Sequence, residues 1–256
     1  YESRLVSFYG WDYGLAQERP RVALIGFRDQ LLHRFKKPPV LTTKRVTVGE
    51  ALLDIVASNG WPHAKTWARE KANKVGNTIV GGSENSNRLA FTANLHVETW
   101  KNMGIDARSI APMPPSATHG KDELFRFTMA MGARLQGFPD SWEFKAVDSE
   151  RKANNIKVYE LGERPYATKA KRMQIANALP PVMAHAMGLA IYSTLTGDEF
   201  DYQAALARPH PIRREPDSIL PRLITRGVLK LSALQSHSDA LALAHERADD
   251  DLFDKA

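Results

Sequence analysis

Two arginines at alternate positions lead into an apolar stretch, and their type and spacing suit them to negative charge. Gln17, Arg19 and Arg21 stand at or just before residues 21–27 (RVALIGF), a short run rich in β-branched residues. An arginine is always charged and presents a fixed fork of donors, so it can stabilise negative charge that develops during a reaction. The same spacing fits a solvated basic start to a strand, and spacing alone leaves both interpretations open.

A polar loop that contains two glycines is a second candidate site. Residues 81–88 read GGSENSNR. Ser83, Asn85, Asn87 and Arg88 have side chains that can bond base edges in the major groove of DNA, and the glycines allow the backbone to approach closely. A flexible linker is the alternative. No Gly-Lys-Ser/Thr follows, so this is not the phosphate-binding loop of nucleotide hydrolases.

Composition excludes some chemistry and favours one class of partner. The chain has no cysteine, which excludes disulfides, cysteine-ligated zinc, iron–sulfur clusters and a thiol nucleophile in these 256 residues. The eight histidines are scattered, and we expect no metal site. The net charge of +6 and the pI of about 9.5 favour a polyanionic partner. Lys36, Lys37, Lys44 and Arg45 would position a DNA duplex, although each also fits a solvated face.

The elements that must position these residues can be predicted in outline. Residues 21–27 predict a buried parallel strand that is covered on both faces. Residues 29–115 predict a small, loop-rich, basic subdomain with an amphipathic helix over 48–57 and a short strand within 77–88.

The second half of the chain predicts two further helices. One covers residues 127–135 and stops at Gly137, and residues 148–168 predict a polar loop. The other covers residues 181–195 with proline at its first position. Its buried face would consist of Val182, Ala186, Leu189, Ala190 and Ser193. Residues 220–245 have helical character, and no apolar run is long enough to span a membrane.

Three motifs resemble, in order and character, those of the DNA cytosine-5 methyltransferase family. Residues 17–21 (QERPR) match the QxRxR pattern of its motif VIII. Residues 133–142 (ARLQGFPDSW) resemble motif IX and are the most specific of the three. Residues 174–182 (QIANALPPV) resemble motif X, with Ala176 where glycine is usual.

The resemblance covers roughly residues 9–195 and implies an α/β fold. The expected architecture is the C-terminal part of a Rossmann-like S-adenosylmethionine-dependent methyltransferase plus a small loop-rich target-recognition domain. The implied divisions are a motif VIII strand of the catalytic domain at 1–30, the target-recognition domain at 31–130, motif IX and a loop at 131–165, a motif X helix packing on the catalytic domain at 166–200, and a tail of unknown role at 201–256.

The resemblance also implies roles near the reacting base. The target cytosine must leave the duplex, because its reacting face is stacked inside it. Arg21 would donate to the carbonyl oxygen of the flipped cytosine, and Arg19 would brace the catalytic loop or a phosphate, with Gln17 completing this catalytic set. Thr78 resembles the threonine of a Thr-(Leu/Ile/Val) pair often found in the recognition domain, where it would contact DNA.

For the other two motifs, functional and structural interpretations stay open. Gln174, Asn177 and Ala178 would form part of the S-adenosylmethionine pocket wall, or Asn177 would cap the helix that starts near residue 180. Arg134 would contact DNA, or motif IX would organise the small domain through a tight turn. In that second interpretation Phe138 and Trp142 belong to the core.

The Phe-x-Gly-x-Gly, Pro-Cys and Glu-Asn-Val motifs of the family's N-terminal half do not occur in this sequence. We therefore expect the chain alone to be inactive. Its expected partners are double-stranded DNA and an N-terminal half with the catalytic cysteine, as a separate subunit or a removed segment. The expected setting is a cytoplasmic, nucleoid-associated bacterial restriction–modification activity without a membrane. A non-catalytic DNA-binding or regulatory subunit is the alternative. Alone, the chain should expose a large apolar surface.

Overall fold

The computed structural model describes residues 1–81, 91–144, 146–148, 157–159 and 165–207. The elements in these ranges are β1 (Glu2–Tyr9), β2 (Pro20–Phe27), α1 (Val48–Ala57), α2 (Ala64–Glu70), α3 (Val97–Asn102), β3 (Ile105–Ile110), β4 (Phe125–Phe127), α4 (Met129–Leu135), β5 (Ala146–Asp148), β6 (Lys157–Tyr159), α5 (Pro165–Asn177), α6 (Pro181–Thr196) and α7 (Tyr202–Ala207). This mixture of helices and strands is consistent with an α/β methyltransferase fold. The Rossmann-like assignment and the recognition domain stay predictions.

The first two strands form an antiparallel hairpin with one buried and one exposed face. β1 and β2 pair along their whole length. Phe8 and Ile25 point into the core, whereas Leu5, Val22 and Leu24 are 70%, 66% and 70% exposed. The prediction of a parallel strand covered on both faces is therefore wrong. The prediction failed because the solvent-facing residues of β2 are apolar as well as its buried residues.

The outer face of the hairpin exposes three apolar side chains. Leu5 and Leu24 are directly paired across the strands, with Val22 two residues along the same face. Neighbouring side chains on one face of an antiparallel pair lie close together, so these three form one patch. β1 itself was missed, because its charged and polar first residues conceal the alternation that begins at residue 5.

α6 packs on the inner face of the hairpin and completes the first core. Proline stands at its first position, and Gly197 ends it in the left-handed conformation with φ 81°. The predicted helix is confirmed, but its buried face is rotated: Met183 and Thr194 are buried, whereas Val182, Leu189 and Ser193 are only partly buried. Small side chains at two of the buried positions let the helix approach the strands closely. The residues of this core from both elements are Val6, Phe8, Ile25, Phe27, Met183, Ala186 and Ala190.

A second core lies among α1 to α4, β3 and β4. The helix predicted over residues 48–57 is confirmed as α1, and a capping box between Thr47 and Glu50 fixes its start. The Trp100 and Phe127 rings meet edge to face, with centroids 5.0 Å apart, and both are fully buried. The region is therefore more helical and better packed than a loop-rich subdomain.

The remaining secondary-structure predictions are confirmed only in part. The helix predicted over 127–135 is present as α4, but its first two residues belong to β4 and the cap. No strand occurs over residues 77–81, and the rest of the strand predicted there lies outside the described ranges. The stretch expected to be a polar loop holds β6 and the start of α5. The helix predicted over 220–245 lies outside the described part of the chain.

One helical stretch, Lys169–Thr196, is long and apolar enough to cross a membrane by length and composition. Residues 178–180 are not helical and divide it into α5 and α6. Met183, Ala186 and Ala190 are buried against the hairpin. Length and composition alone therefore support no membrane assignment for this stretch.

Replacing Gly49 with alanine should destabilise the second core. A Cβ at this position would lie 2.3 Å from the Ala68 carbonyl oxygen and 2.8 Å from its Cα, both backbone atoms of α2. Overpacking against backbone costs about 1–3 kcal/mol. Urea unfolding should show a loss in this range. Gly188→Ala is the matched control in α6, where a Cβ meets nothing within 4 Å. There the helix propensity of alanine should add about 0.5–1 kcal/mol. A loss at both positions would contradict the packing argument.

Candidate functional site

The segment that contains Gln17, Arg19 and Arg21 runs from a 3-10 turn at Gly10–Tyr13 into β2. Gly14 leaves the turn with φ 83°. Arg19 has φ 38°, in the left-handed region that non-glycine residues rarely adopt. This bend interrupts the strand alternation before β2 starts, so the two arginines take different environments.

The Arg19 side chain is fully buried and binds three backbone carbonyls. Its Nη1 donates to the Ile79 oxygen at 3.1 Å, and its Nη2 donates to the oxygens of Ala176 and Ala178, both at 2.7 Å. Desolvation, with a smaller contribution from Arg21, lowers the pKa of Arg19 to about 9. The guanidinium is still charged at neutral pH. Arg19 thus joins the motif VIII segment to residue 79 and to the end of α5.

Two glutamines connect the residues bound by Arg19 to motif IX. Gln17 Nε2 donates to the Leu135 oxygen at 2.6 Å and to Gln136 Oε1 at 3.0 Å, while Gln17 Oε1 accepts from the Ile79 amide at 3.2 Å. Gln136 Nε2 in turn donates to the Ala178 oxygen at 2.6 Å. Gln17, Arg19 and Gln136 are all 0% exposed. We call these three side chains the buried polar network; it ties motifs VIII, IX and X together.

The geometry separates the three residues predicted as catalytic. As arranged, Gln17 and Arg19 cannot touch a substrate, because both side chains are buried and occupied. Arg21 is only partly buried, and its hydrogen bond within the described structure goes to the neighbouring Pro20 oxygen at 2.7 Å. Desolvation lowers the pKa of Arg21. Its remaining donors are available to a ligand.

The predicted cofactor wall lies at the junction of α5 and α6. Gln174 and Asn177 are exposed, and Ala178 is partly exposed. Asn177 is the last residue of α5 and makes no cap: Pro180 precedes α6 without a side-chain cap bond. The capping interpretation is therefore wrong. A Cβ on Gly81 would lie 2.7 Å from Asn177 Oδ1. The backbone at residue 81 can therefore approach the Asn177 side chain this closely because glycine has no Cβ.

Arg134 is held by two carboxylates. Its Nη1 and Nη2 donate to Asp54 at 3.0 and 3.1 Å, its Nε donates to Asp140 Oδ1 at 2.7 Å, and its Nη2 also binds Asp140 Oδ2. The hydrogen bonds that Arg134 donates to Asp140 and Asp54 raise the pKa of Arg134, and the one to Asp54 lowers the pKa of that carboxyl group. The cluster carries a net negative charge, which favours the structural interpretation of Arg134.

The motif IX turn itself follows the structural interpretation in part. Gly137 is left-handed with φ 82°, and Phe138 is 9% exposed. Trp142 is 54% exposed, so its assignment to the core is wrong. Its ring lies 5.4 Å from that of Phe138, beside a cavity of about 410 Å³ that Arg134 also lines.

Arg134→Gln distinguishes the two interpretations of motif IX. We expect the free energy of unfolding to fall by about 1–2 kcal/mol, since a partly buried guanidinium with two bidentate partners is lost. DNA affinity should change less than about two-fold, with an unchanged salt slope. Urea titration and fluorescence anisotropy with labelled duplex measure the two effects. A fall of about one in the salt slope without loss of stability would instead make Arg134 a phosphate contact.

The predicted DNA contacts are spread over the surface. Lys36, Lys37 and Arg45 are exposed, and Thr78 is partly buried beside the fully buried Ile79. The loop residues Ser83, Asn85, Asn87 and Arg88 lie outside the described residues. In the ranges that are described, no cluster of three or more histidine, cysteine or acidic side chains could hold a metal ion.

Sequence reasoning missed an aromatic stack next to motif VIII. The Tyr9 and Trp11 rings are stacked, with centroids 5.6 Å apart and planes 14° apart. The Arg45 guanidinium carbon lies 3.4 Å from the centroid of the Trp11 ring. The signal that could have indicated it is a tryptophan in a polar turn near a basic segment.

Comparison with known proteins agrees with this arrangement. The sequence pattern of C-5 cytosine-specific DNA methylases matches residues 1–193. The Type II methyltransferase M.NaeI of Lentzea aerocolonigenes is 32% identical over 185 residues, which cover 72% of this chain and 40% of that protein. The Type II methyltransferase M.NgoMIV of Neisseria gonorrhoeae is 33% identical over 196 residues, 73% of this chain and 53% of that protein. The chain therefore spans about half the length, or less, of these relatives. It belongs to the C-5 cytosine-specific DNA methylase family.

Proposed function

We propose that this chain is the DNA-recognition part of a DNA cytosine-5 methyltransferase. The complete enzyme transfers a methyl group from S-adenosylmethionine to carbon 5 of a cytosine that has been flipped out of the duplex. The observation that carries the proposal is the buried polar network, in which Gln17 and Arg19 of motif VIII bind Gln136 of motif IX and the motif X carbonyls. Three distant motifs are joined at one place, and Arg21 emerges beside it.

In this proposal Arg21 contacts the reacting base. Carbon 5 of cytosine is a poor nucleophile, and the family's chemistry begins with addition of a thiolate to carbon 6. Negative charge then develops on the ring and its carbonyl oxygen. A charged fork of donors aimed at that oxygen stabilises the transition state. Gln17 and Arg19 hold the backbone from which Arg21 projects, so they act through Arg21.

The end of α5 forms one wall of the cofactor pocket. Gln174 and Asn177 offer amide groups at an exposed position, and Ala178 follows them at the bend before α6. Arg19 and Gln136 both hold the carbonyl of Ala178, which fixes the bend. These side chains fit a polar cofactor as part of a wall. S-adenosylmethionine supplies the methyl group when bound, and most of its contacts come from outside this sequence.

The remaining chemistry requires a segment with the catalytic cysteine, because these 256 residues contain none. That segment is a separate subunit or another part of the same polypeptide. The exposed apolar patch of Leu5, Val22 and Leu24 suits burial by it. The proposed divisions follow: residues 1–30 and 166–200 belong with the catalytic domain, 31–130 form the target-recognition domain, 131–165 contain motif IX, and 201–256 have no assigned role.

The proposed DNA surface comprises Lys36, Lys37, Arg45, Thr78 and the loop at 81–88. A cytoplasmic setting within a bacterial restriction–modification system is part of the proposal, supported by the Type II methyltransferases of Lentzea aerocolonigenes and Neisseria gonorrhoeae.

The test is reconstitution. The chain is combined with a segment bearing the Phe-x-Gly-x-Gly, Pro-Cys and Glu-Asn-Val motifs, encoded next to it, and is incubated with duplex DNA and tritiated S-adenosylmethionine. We expect DNA methylation by the mixture and none by either component alone. The control replaces the catalytic cysteine of the segment with serine. No transfer by the mixture, with DNA binding retained, would leave a non-catalytic DNA-binding or regulatory subunit.

A further inference from the structure

The aromatic stack of Tyr9, Trp11 and Arg45 contains a guanidinium with no protein acceptor among the described residues. Arg45 is exposed, and its guanidinium carbon lies over the Trp11 ring, 3.4 Å from the ring centroid. Within the described part of the chain no hydrogen bond or ion pair engages it. Stacking on an aromatic face fixes the plane of a guanidinium and leaves its edge donors open. The result is an oriented fork of donors without an acceptor.

Two other cations of this part of the chain have protein acceptors, whereas Lys37, whose Nζ lies 5.4 Å from the centroid of the Phe8 ring, has none among the described residues and lacks a planar fork of donors. Lys44 binds Glu50 at 3.1 Å, and Glu50 is also the capping carboxylate of α1. Arg28, at the other end of the hairpin, lies over the Tyr1 ring at 5.0 Å but donates to the Tyr1 hydroxyl at 2.8 Å. The Arg45 guanidinium therefore differs from an ordinary solvated cation in its contact with the face of an aromatic ring.

The position of the stack relates it to the reacting centre. Tyr9 pairs with Pro20 at the end of the hairpin where β2 starts, and Arg21 pairs with Phe8, so the stack and Arg21 lie at the same end of the hairpin but on opposite faces. Trp11 lies in the turn that leads into motif VIII. A duplex that delivers a cytosine to Arg21 brings its backbone close to this end of the hairpin.

We propose that Arg45, oriented by Trp11 and Tyr9, binds a DNA phosphodiester that flanks the target base. This inference rests on the proposed function, since it takes DNA as the ligand. A phosphate accepts two parallel bonds from a guanidinium, and the planar fork matches that geometry. Because the stack restricts the fork before DNA arrives, less conformational freedom is lost on binding. The contact positions the duplex and carries no sequence information.

The test measures DNA binding by the chain as it stands, without the catalytic segment. Fluorescence anisotropy with a labelled 24-base-pair duplex gives Kd over a range of NaCl concentrations. Arg45→Gln should weaken binding about ten-fold and reduce the salt slope by about one. Trp11→Leu removes no charge, yet we expect about three- to five-fold weaker binding with the slope unchanged, because the fork is no longer oriented. Lys101→Gln is the control, since it removes the same charge from a side chain that binds Glu98, and it should change Kd less than two-fold.

A folding control and a second duplex test whether Arg45 contacts a phosphate. Circular dichroism melting shows whether each variant folds; if Trp11→Leu does not, Arg45→Lys, which keeps the charge without the planar fork, should be about three-fold weaker. A second duplex of A·T pairs alone contains no guanine. An equal loss for Arg45→Gln on both duplexes supports a phosphate, whereas a loss confined to the guanine-containing duplex overturns it in favour of a base contact.

The outcomes separate the two proposals. Wild-type affinity in both Arg45→Gln and Trp11→Leu would overturn the role of the stack and leave the methyltransferase proposal intact. A wild-type chain without salt-dependent DNA binding would overturn both. Failure of methylation on reconstitution, with these binding results obtained, would count against the proposed catalysis alone.

Discussion

Arg19→Met should lower the free energy of unfolding by about 3–5 kcal/mol. The substitution retains much of the side-chain volume but leaves the carbonyls of Ile79, Ala176 and Ala178 without their donor. An unsatisfied buried acceptor costs about 1–3 kcal/mol, and the Arg19 side chain is the donor to three such carbonyl oxygens. Recovery of the guanidinium's desolvation cost offsets part of this loss. Urea unfolding followed by circular dichroism measures the difference.

Arg21→Met is the matched control for this prediction, since it removes the same group two residues further along. Arg21 is partly exposed and bonds only the adjacent Pro20 oxygen within the described structure. Its replacement should cost less than about 1 kcal/mol, as surface substitutions do. Equal stability of the two variants, or an Arg19→Met loss below about 1 kcal/mol, would show that the buried polar network does not hold the motifs together.

Arg21→Ala should lower the kcat of the reconstituted methyltransferase by about 10²–10³-fold. Removal of one donor to a developing oxyanion has an effect of about this size. DNA affinity should fall only modestly, because the proposed contact strengthens in the transition state and one arginine contributes little to the total phosphate binding. Single-turnover transfer of tritiated methyl groups at saturating DNA and S-adenosylmethionine measures the rate, and anisotropy measures the affinity.

Arg28→Ala is the control for the catalytic prediction. Arg28 follows β2 at its far end, is exposed and contacts Tyr1. Its removal changes the net charge by the same amount, so a general electrostatic effect would appear in both variants. We expect a kcat within about two-fold of wild type for Arg28→Ala. Full activity of Arg21→Ala would remove the proposed role of Arg21, and equal losses in the two variants would reduce it to long-range charge.

Local pattern predicted several elements well. α1 has the predicted bounds because Thr47 and Glu50 supply a capping box and the apolar positions recur at helical spacing. α6 follows from a proline at its first position and Gly197 after its end. Such signals act within a few residues, so a sequence contains them in full. The turn at Gly137 belongs to the same class.

The local sequence pattern could not predict which strands pair with each other. Residues 22–26 are apolar on both faces, which indicates a central strand, but the structure pairs them antiparallel with β1 and exposes Val22 and Leu24. Which strand lies next to which depends on contacts between distant segments. The helical face of α6 was mispredicted for a related reason: most of its residues are apolar, so periodicity alone could not orient it.

The sequence by itself determined the family resemblance, the absence of a cysteine nucleophile and the identity of Arg21 as a candidate donor. The tertiary structure decided which of the alternate polar residues face inward. Arg19 and Arg21 have one chemistry and two environments, because a left-handed backbone at residue 19 directs its side chain among the carbonyls of residues 79, 176 and 178. Burial and hydrogen-bond partners arise from segments up to 159 positions apart in the chain, and no local pattern encodes them.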